Sequence, residues 1–488
     1  MRQAFATQLQ LDGMSIGEIP LNVECRDEIV PILAGLQHIY SQPEVRAEIL
    51  RLIARDVNRQ TREDCGREGL DYWQILVLAC VRLGCNFNYD RLQDLAEQHR
   101  TLRLMMGLGD WQAGPSFNWR RIRDNICLLR PETIEQISHH LVAAGHRLAP
   151  DAARTVRADS FVLETNIHYP TESTLIRDGL RKLLELCAAV SNSADVCGWR
   201  QHAHLFRRIK QRARLIDRIA ARKGANYKPR LQHEYRKLLK LSLRITSRVR
   251  ELCAQLDQTG LGTVALQAAL RHYLELTEQV MDTARRRVIC GETVPNPEKL
   301  FSLFEPHTQL YKRGKAGRPV QFGRLALVYE DGAGFITHHY LLPRECGDED
   351  VVVEQTRLVQ ARLGGTIEQA SFDRGFHTPE NQIELAKIVR HPCLPKPGVR
   401  QAAEQERQAS VQFRAARQRH PGVESAIGAL QAGNGLARCR DRTALGYERY
   451  LALGVLGRNL HVLGLLVIQR NHQLADAAWS RRRSVRVA

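Results

Sequence analysis

The sequence predicts a mixed α/β protein in which a sheet covered by helices is interrupted by a long helical insertion. Three observations lead to this class. Residues 155–166 (TVRADSFVLETN) are apolar and β-branched on both faces, as in a buried central strand. Strand patterns return only after residue 300, at 321–342, 367–373 and about 391–396. Residues 171–300, between these strands, predict a long helical stretch with apolar side chains at helical spacing.

Residues 41–150, before the first strand, predict several helices. A polar turn at 86–90 separates an apolar helix from an amphipathic one, and a later helix carries Arg120, Arg121 and Arg123 close together. Helix, turn and helix followed by an arginine-rich helix suits a reader of the DNA major groove. Amphipathic helices with solvated arginines are also common, so both interpretations stay open here.

Two short signals organise the second half of the chain. Asp331-Gly332 lies between two strand patterns and predicts a β-hairpin. Thr378-Pro379 predicts the N-cap and first turn of a helix. Residues from about 403 to 470 predict a helical end.

The charge of the chain is concentrated. Its 488 residues include 71 Lys and Arg against 53 Asp and Glu, a formal net charge of +18, which indicates a polyanionic partner or, alternatively, an enzyme with a basic surface. Residues 199–250 hold 17 Lys and Arg against two acids, so this window alone carries +15.

Gly224 and Pro229 mark a turn within this basic window. We therefore expect an amphipathic helical hairpin that binds phosphates, and not merely a solvated basic face. The cations expected to contact DNA there are Arg207, Arg208, Lys210, Arg212, Arg214, Arg218 and Arg222.

Neither secretion nor a membrane span is expected. The N-terminus lacks a basic start followed by an apolar core. The most apolar stretch, residues 450–468, is interrupted by Arg458, Asn459 and His461, which favours a buried helix. The twelve scattered cysteines include no C-x-x-C pair, so we expect reduced thiols, no structural zinc and a cytoplasmic protein.

Two aspartates are candidates for a metal site. Asp159 lies inside the first apolar strand, and Asp373 ends another strand just before Arg374. A carboxylate in a buried strand is costly unless it is paired or coordinates a cation, and Mg²⁺ prefers carboxylate oxygens. The alternative is that Asp373 caps a turn while Asp159 pairs with a buried arginine such as Arg374.

Glu424 is the third candidate. Pro421 can begin a helix with a core stripe of Val423, Ile427 and Leu430, and Glu424 borders this stripe. A helix docked on a sheet by that stripe would present Glu424 toward the strand ends. The alternative is a surface glutamate in a first helical turn, where the helix dipole favours an acid.

Four segments resemble motifs of bacterial insertion-sequence transposases of the DDE class, in the ISNCY group and the larger IS5-like assembly related to it. Residues 157–173 resemble the first-aspartate segment, and residues 301–323 resemble the segment that follows the helical insertion. Residues 370–381 resemble the second-aspartate motif, and residues 420–464 the glutamate motif with its helical tail. The region near 70–145 is also similar to the N-terminal domain of these enzymes, so the resemblance covers most of the chain.

The resemblance implies an RNase H-like catalytic core in which Asp159, Asp373 and Glu424 bind Mg²⁺ or Mn²⁺, with two ions expected. It also implies a DNA transposase that binds the terminal inverted repeats of a transposon and target DNA. Such an enzyme acts in the bacterial cytoplasm on nucleoid DNA, as a homodimer or a larger synaptic assembly.

The surroundings of the glutamate depart from the family pattern, which has a Tyr, an Arg and a Lys there. Arg417 fits the Arg, Phe413 or no residue stands for the Tyr, and Gln431 occupies the Lys position. Further DNA contacts are expected from a glycine-containing loop and from the residue after the second aspartate. These cations are Lys312, Arg313, Lys315, Arg318 and Arg374.

The expected domains follow from these assignments. They are an N-terminal extension (1–40), a helical DNA-binding domain (41–150), an RNase H-like catalytic domain (151–172 with 301–470), a basic helical insertion (173–300) and a basic C-terminal tail (471–488). Two other functions stay open. One is an RNase H-like metal-dependent nuclease without strand transfer, and the other is a non-catalytic DNA-binding protein derived from a transposase.

Overall fold

The computed structural model describes residues 14–60, 69–109, 117–194, 198–224, 226–256, 264–312, 320–398 and 401–487. The protein is mixed α/β with a mixed sheet, which confirms the predicted class at this level. The chain divides into two compact units. Unit 1 comprises Met1–Glu164 with Leu325–Ala488, and unit 2 comprises Thr165–Arg324.

Unit 1 begins with seven α-helices in the described residues. They are α1 (Ile29–Tyr40), α2 (Pro43–Val57), α3 (Tyr72–Gly84), α4 (Tyr89–Gln98), α5 (Arg100–Met105), α6 (Trp119–Ile126) and α7 (Pro131–Leu148). The predicted polar turn is present, and the Asn88 side chain caps α4 by accepting from the Arg91 N–H at 2.8 Å. These helices share one hydrophobic core with the sheet and with the C-terminal helix. Residues 41–150 therefore do not form a core of their own.

The sheet of unit 1 contains the strands that the sequence predicts and one short strand, the last of the list, that it does not. They are β1 (Thr155–Thr165), β3 (Gln321–Asp331), β4 (Ile336–Leu341), β5 (Gln369–Phe372), β6 (His391–Cys393) and a short β7 (Arg438–Cys439). The order is β3-β1-β5-β6, with β4 paired to β3 and β7 paired to β1. β1 and β5 are parallel, as are β5 and β6, whereas β3 and β4 form the predicted antiparallel hairpin.

Helices follow the strands of unit 1. They are α12 (Asp348–Arg362), α13 (Pro379–Ile388), α14 (Ala402–Ala409), α15 (Val411–Arg419), α16 (Gly422–Ala432) and α17 (Ala444–Val487). The first residue of α12 is fixed to β1, because the Ser160 hydroxyl donates to Asp348 Oδ2 at 2.7 Å. The α15–α16 corner contacts the opposite face of β1, where an Arg157 Nη1–H donates to the Arg419 carbonyl at 3.1 Å.

Helix α17 is the central helix of unit 1. By length and composition Ala444–Ala477 could cross a membrane, but 67% of its most apolar window is buried inside the protein. Asn459 is fully buried within it, accepting from the Ile336 N–H at 2.7 Å and donating to the Ile336 carbonyl and to Ser138 Oγ at 2.8 Å each. The prediction of a buried helix over residues 450–468 is confirmed.

Unit 2 is mostly helical in its described residues. It contains α8 (Glu172–Ala194), α9 (His202–Arg222), α10 (Tyr227–Leu256), α11 (Val264–Ala284), a π-helical turn (Arg285–Ile289) and the short strand β2 (Gln309–Tyr311). Helices α9 and α10 form the predicted hairpin, and their inner faces contribute Ile209, Ile216 and Leu238 to the core of this unit. Pro229 lies in the first turn of α10, where its missing N–H costs nothing.

Four elements differ from the sequence-based expectations. The predicted N-terminal extension contains α1, because Pro31 lies in its first turn and does not interrupt it. The predicted tail continues α17 to Val487. The predicted helical end is divided by β7, and β2 has no counterpart among the predictions, since strands of two or three residues carry no readable alternation.

Candidate functional site

The two candidate aspartates are neighbours across parallel strands. Arg157 lies opposite Ser371, and Ala158 opposite Phe372. Asp159 is the next residue of β1, and Asp373 directly follows β5 with an extended backbone, φ −79° and ψ 171°. The register therefore brings the two aspartates side by side at the strand spacing of about 4.8 Å. Because side chains alternate, they share one face of the sheet with Arg157 and Ser371.

The two aspartates differ in exposure. Asp159 is half-buried, with Oδ1 accepting from the Ser160 N–H at 2.7 Å, whereas Asp373 is exposed. The expectation that both lie buried is wrong for Asp373, because β5 ends one residue earlier. The turn-capping alternative fails as well, since Asp373 makes no side-chain cap to the 3-10 helix Arg374–Phe376. Arg374 is exposed, so it is not the buried partner proposed for Asp159.

His420, at the corner between α15 and α16, links the aspartate face to the glutamate helix. Its Nδ1 is hydrogen-bonded to Ser371 Oγ at 3.1 Å, and its side chain is buried. Burial lowers the pKa of His420, the Asp373 and Glu424 carboxylates counteract that shift, and Arg417 adds to it. All three charged groups therefore lie within electrostatic reach of one imidazole. The sequence analysis did not single out His420, although it stands four residues before the candidate glutamate.

Glu424 lies where the sequence predicts it. Pro421 is the N-cap of α16, and Val423, Ile427 and Leu430 are buried, which confirms the predicted core stripe. Glu424 itself is exposed in the first turn. Its exposure fits a surface glutamate as well as a metal ligand, and its proximity to His420 is what distinguishes it from other surface acids.

Arg157 is a second residue that the sequence analysis missed. Its Nε–H forms a short ion pair with Glu330 of β3, and its guanidinium lies against the start of α16. A Cβ at Gly422 would lie 2.1 Å from Arg157 Nη1, so any larger residue there would displace the guanidinium. A cavity of about 190 Å³ opens here and is lined in part by Arg157, Ser371 and Arg419. The sequence signal that could have identified Arg157 is its position two residues before Asp159, which places both side chains on the same face of β1.

Arg417 and Phe413 occupy α15. Arg417 Nη1 is buried and has no hydrogen-bond partner among the described residues, so this donor is available beside His420. Phe413 is buried in a small cluster with Cys393. Phe413 therefore packs in the interior and offers no polar group to the site.

No preformed metal cage is visible. Within the described ranges, no three His, Cys, Asp or Glu side chains are gathered closely enough to hold one metal ion. The two aspartates directly follow a paired position of β1 and β5, whereas Glu424 is related to Asp373 through the electrostatic influence of both on His420. Three carboxylates repel one another, so a cation is what would draw them together.

The two acids of the basic α9–α10 hairpin, Glu234 and Asp217, form contacts within unit 2. Glu234 Oε2 accepts from Arg212 at 2.6 Å and Glu234 Oε1 from Lys237 at 3.0 Å, while Asp217 accepts from the Ser173 hydroxyl at 2.7 Å. Arg212, expected to contact DNA, is thus held by Glu234. Twelve other cations of this hairpin are exposed and have no ion-pair partner among the residues that the structure describes. They are Arg207, Arg208, Lys210, Arg214, Arg218, Arg222, Lys223, Lys228, Arg230, Arg236, Lys240 and Arg244.

The arginines of α6 are arranged around one aromatic ring. The guanidinium carbons of Arg120 and Arg123 lie 4.9 and 5.3 Å from the Trp119 ring centre, and Arg123 also pairs with Asp124 at 2.7 Å. Arg120 is exposed, whereas Arg121 is half-buried. The three arginines therefore do not present one uniform surface.

Two of the remaining predicted DNA contacts belong to the described residues. Lys312 and Arg374 are exposed. Arg313, Lys315 and Arg318 lie outside the described residues. Their expected contact with phosphates stays a prediction.

Comparison with protein-family models, with curated proteins and with solved structures finds no match.

Proposed function

We propose that this chain is a DDE-type DNA transposase that cleaves phosphodiesters at transposon ends and joins the freed 3′-hydroxyl to target DNA. The observation that carries the proposal is the β1–β5 register, which makes Asp159 and Asp373 neighbours on one face of the sheet. Glu424 and Asp373 both lie close enough to His420 to counteract the lowering of its pKa. The order of these three acids along the chain is the order that the family resemblance requires.

The strand arrangement supports an RNase H-like core. Such a core has a first strand flanked by an antiparallel hairpin on one side and by two parallel strands on the other. Here β1 lies between β3, which pairs with β4, and β5, which is followed by β6. The first two acids then belong to adjacent strands and the third to a later helix, as in α16.

The donor set fits a hard divalent cation. Asp159, Asp373 and Glu424 offer only carboxylate oxygens, the donors that Mg²⁺ and Mn²⁺ prefer, and their exposure leaves room for water and phosphate oxygens. These residues would hold Mg²⁺ or Mn²⁺, with two ions proposed. When bound, the ions supply charge neutralisation at phosphorus and activation of the attacking oxygen.

The residues around the acids position them. The His420–Ser371 hydrogen bond fixes the α15–α16 corner on β5, and with it the helix that carries Glu424. The Arg157–Glu330 ion pair fixes β1 against β3 on the same face. Arg417 adds positive charge near His420, which would attract the phosphates of DNA to this face.

The basic hairpin supports DNA as the substrate. Its twelve exposed and unpaired cations, counted over the residues that the structure describes, form stripes at helical spacing, such as Arg214, Arg218 and Arg222 on α9. Exposed cations without ion-pair partners bind DNA phosphates favourably, because binding releases the counterions condensed on the DNA. Two DNA ends must be joined in one reaction, so we propose a homodimer or larger synaptic assembly, acting on nucleoid DNA in the bacterial cytoplasm. No membrane partner is proposed.

The test uses Asp373→Asn in the full chain, with DNA taken from the sequences flanking its coding region. We expect Mg²⁺-dependent cleavage and joining to fall about a thousandfold, the effect of removing one group that stabilises a transition state. Duplex binding should stay unchanged. The matched control is Asp151→Asn, at an exposed aspartate that pairs with Arg154 instead.

Two outcomes would redirect the proposal. Cleavage that persists in Asp373→Asn would mean that these acids are not the active site. Cleavage without joining of a pre-cleaved end would favour the nuclease alternative.

A further inference from the structure

Unit 2 carries an aromatic stack whose outermost ring is exposed. Tyr169 is 71% exposed, and its ring meets Phe322 edge-on, with ring centres 5.5 Å apart and planes at 89°. Phe322 in turn lies 5.6 Å from Phe301, which is buried. Large rings are seldom left this exposed without a ligand to cover them.

The stack has a rigid base. Phe322 belongs to β3, where it is paired with Leu310 of β2. Pro170 follows Tyr169 directly, which restricts the Tyr169 backbone to extended conformations. A ring held in this way loses little conformational entropy when a planar ligand stacks on it.

Cations converge beside the stack. Pro170, Phe301, Arg287 and Lys299 line one small cavity of about 40 Å³, together with Glu172, which forms an ion pair with Arg287. Burial lowers the pKa of Lys299, and the nearby charges of Arg287 and Lys312 lower it further. Arg287 is presented by the π-helical turn, an element often found at functional sites.

The charge of unit 2 identifies the class of ligand. Residues 165–324 contain 30 Lys and Arg against 14 Asp and Glu, a net charge of +16. A ligand that is both planar and anionic can cover the exposed ring and neutralise the cations at the same time. A nucleotide has both properties, and bases stack on exposed aromatic rings in single-strand binding proteins.

We propose that Tyr169 stacks on an unpaired nucleobase of a DNA strand whose phosphates contact Lys299 and Lys312. The proposal rests on DNA being the partner of this chain, but it assigns a site that does not include the three acids. It implies that the protein prefers DNA with an unpaired base over fully paired DNA.

The experiment compares two DNA probes on the full chain. One is a blunt duplex of about 30 base pairs, long enough to span the basic hairpin, and the other is the same duplex with a short 3′ extension carrying 2-aminopurine. We expect wild type to bind the extended duplex about tenfold more tightly, within the range of one base–aromatic stack. Stacking should also quench the 2-aminopurine fluorescence. Tyr169→Leu should abolish both effects while leaving blunt-duplex binding unchanged, and Tyr169→Trp should keep them.

Phe304→Leu is the matched control. Phe304 is 39% exposed in the same unit, but its ring contacts Tyr273 at 6.0 Å and Arg181 at 5.6 Å, so it should have no effect on the preference. Equal affinity for the two probes in wild type, or a preference retained in Tyr169→Leu, would overturn the stacking site while leaving DNA binding intact. Failure to bind either probe would overturn both proposals at once.

Discussion

The two units of this protein use arginine in opposite ways. Unit 1 has 41 Lys and Arg against 39 Asp and Glu, a net charge of +2, whereas unit 2 carries +16. In unit 1, Arg82 is 1% exposed and forms a bidentate pair with Asp441, at 2.5 and 3.0 Å. In unit 2, Arg214 and Arg218 are exposed without an ion-pair partner among the described residues.

The difference shows that the surroundings of a charge decide its role. A buried guanidinium is desolvated and needs an opposite charge beside it, so it acts on the stability of the fold. An exposed guanidinium contributes little to stability and remains available for a mobile anion. Net charge alone, counted over the whole chain, does not distinguish these two cases.

Breaking the buried pair should have the largest effect. Arg82→Met leaves the Asp441 carboxylate buried without its partner, which costs about 3–5 kcal/mol of the free energy of unfolding. Hydrogen exchange followed by mass spectrometry should show faster exchange in α3 and α17, while α9 and α10 keep their protection. Loss of protection in both units would contradict a separate role for the pair.

The double variant Arg82→Met with Asp441→Leu is the control for this prediction. It removes both charges, so most of the stability should return. A double variant as unstable as Arg82→Met would mean that packing against Tyr89, whose ring centre is 4.0 Å from the guanidinium carbon, is the dominant contribution.

Removing exposed charge from unit 2 should have the next largest effect, on binding instead of stability. The triple variant Arg214→Gln, Arg218→Gln, Arg222→Gln should lower the slope of log affinity against log salt for duplex DNA by about 2.7, since each phosphate that is no longer neutralised reduces it by about 0.9. The denaturation midpoint should stay unchanged, because these side chains form no ion pairs with the described residues. Affinity measured over a series of NaCl concentrations provides the slope.

The control takes three exposed cations of unit 1. Arg51, Arg154 and Lys387 each pair with a nearby acid, at 2.6, 3.2 and 2.5 Å. Their replacement by glutamine removes the same formal charge but should change the slope much less. Equal slopes in the two triple variants would show that charge acts through the whole surface and not through the hairpin.

The sequence predicted the strands well because their signals are local. The apolar run of β1, the Asp331-Gly332 turn and the Thr378-Pro379 helix start each depend on a few neighbouring residues, and all three are present. Thr378 Oγ1 accepts from the Asn381 N–H at 3.0 Å, as expected of an N-cap.

The contacts that position the candidate acids could not be predicted, because they form between segments that are distant in the sequence. His420 is 49 residues from Ser371, and the contact exists only because β5 and the α15–α16 corner meet. Arg157 and Glu330 are 173 residues apart. The candidate acids could be chosen from their local surroundings, but the residues that hold them in place could not.

Acidification should produce the smallest effect. Burial lowers the pKa of His338 on β4 to about 4, against an ordinary value of 6.5, although its bond to Gln355 counteracts that shift. The unfolded chain therefore binds more protons than the folded chain between these values, so stability is lost as the pH falls through this window. From pH 7 to pH 5 this histidine alone should lower the free energy of unfolding by about 2 kcal/mol.

His338→Gln, which can still donate to Gln355, should show a weaker pH dependence of the denaturation midpoint. His272→Gln, at an exposed histidine of unit 2, should match wild type. An identical pH dependence in all three proteins would show that His338 does not remain neutral in the fold.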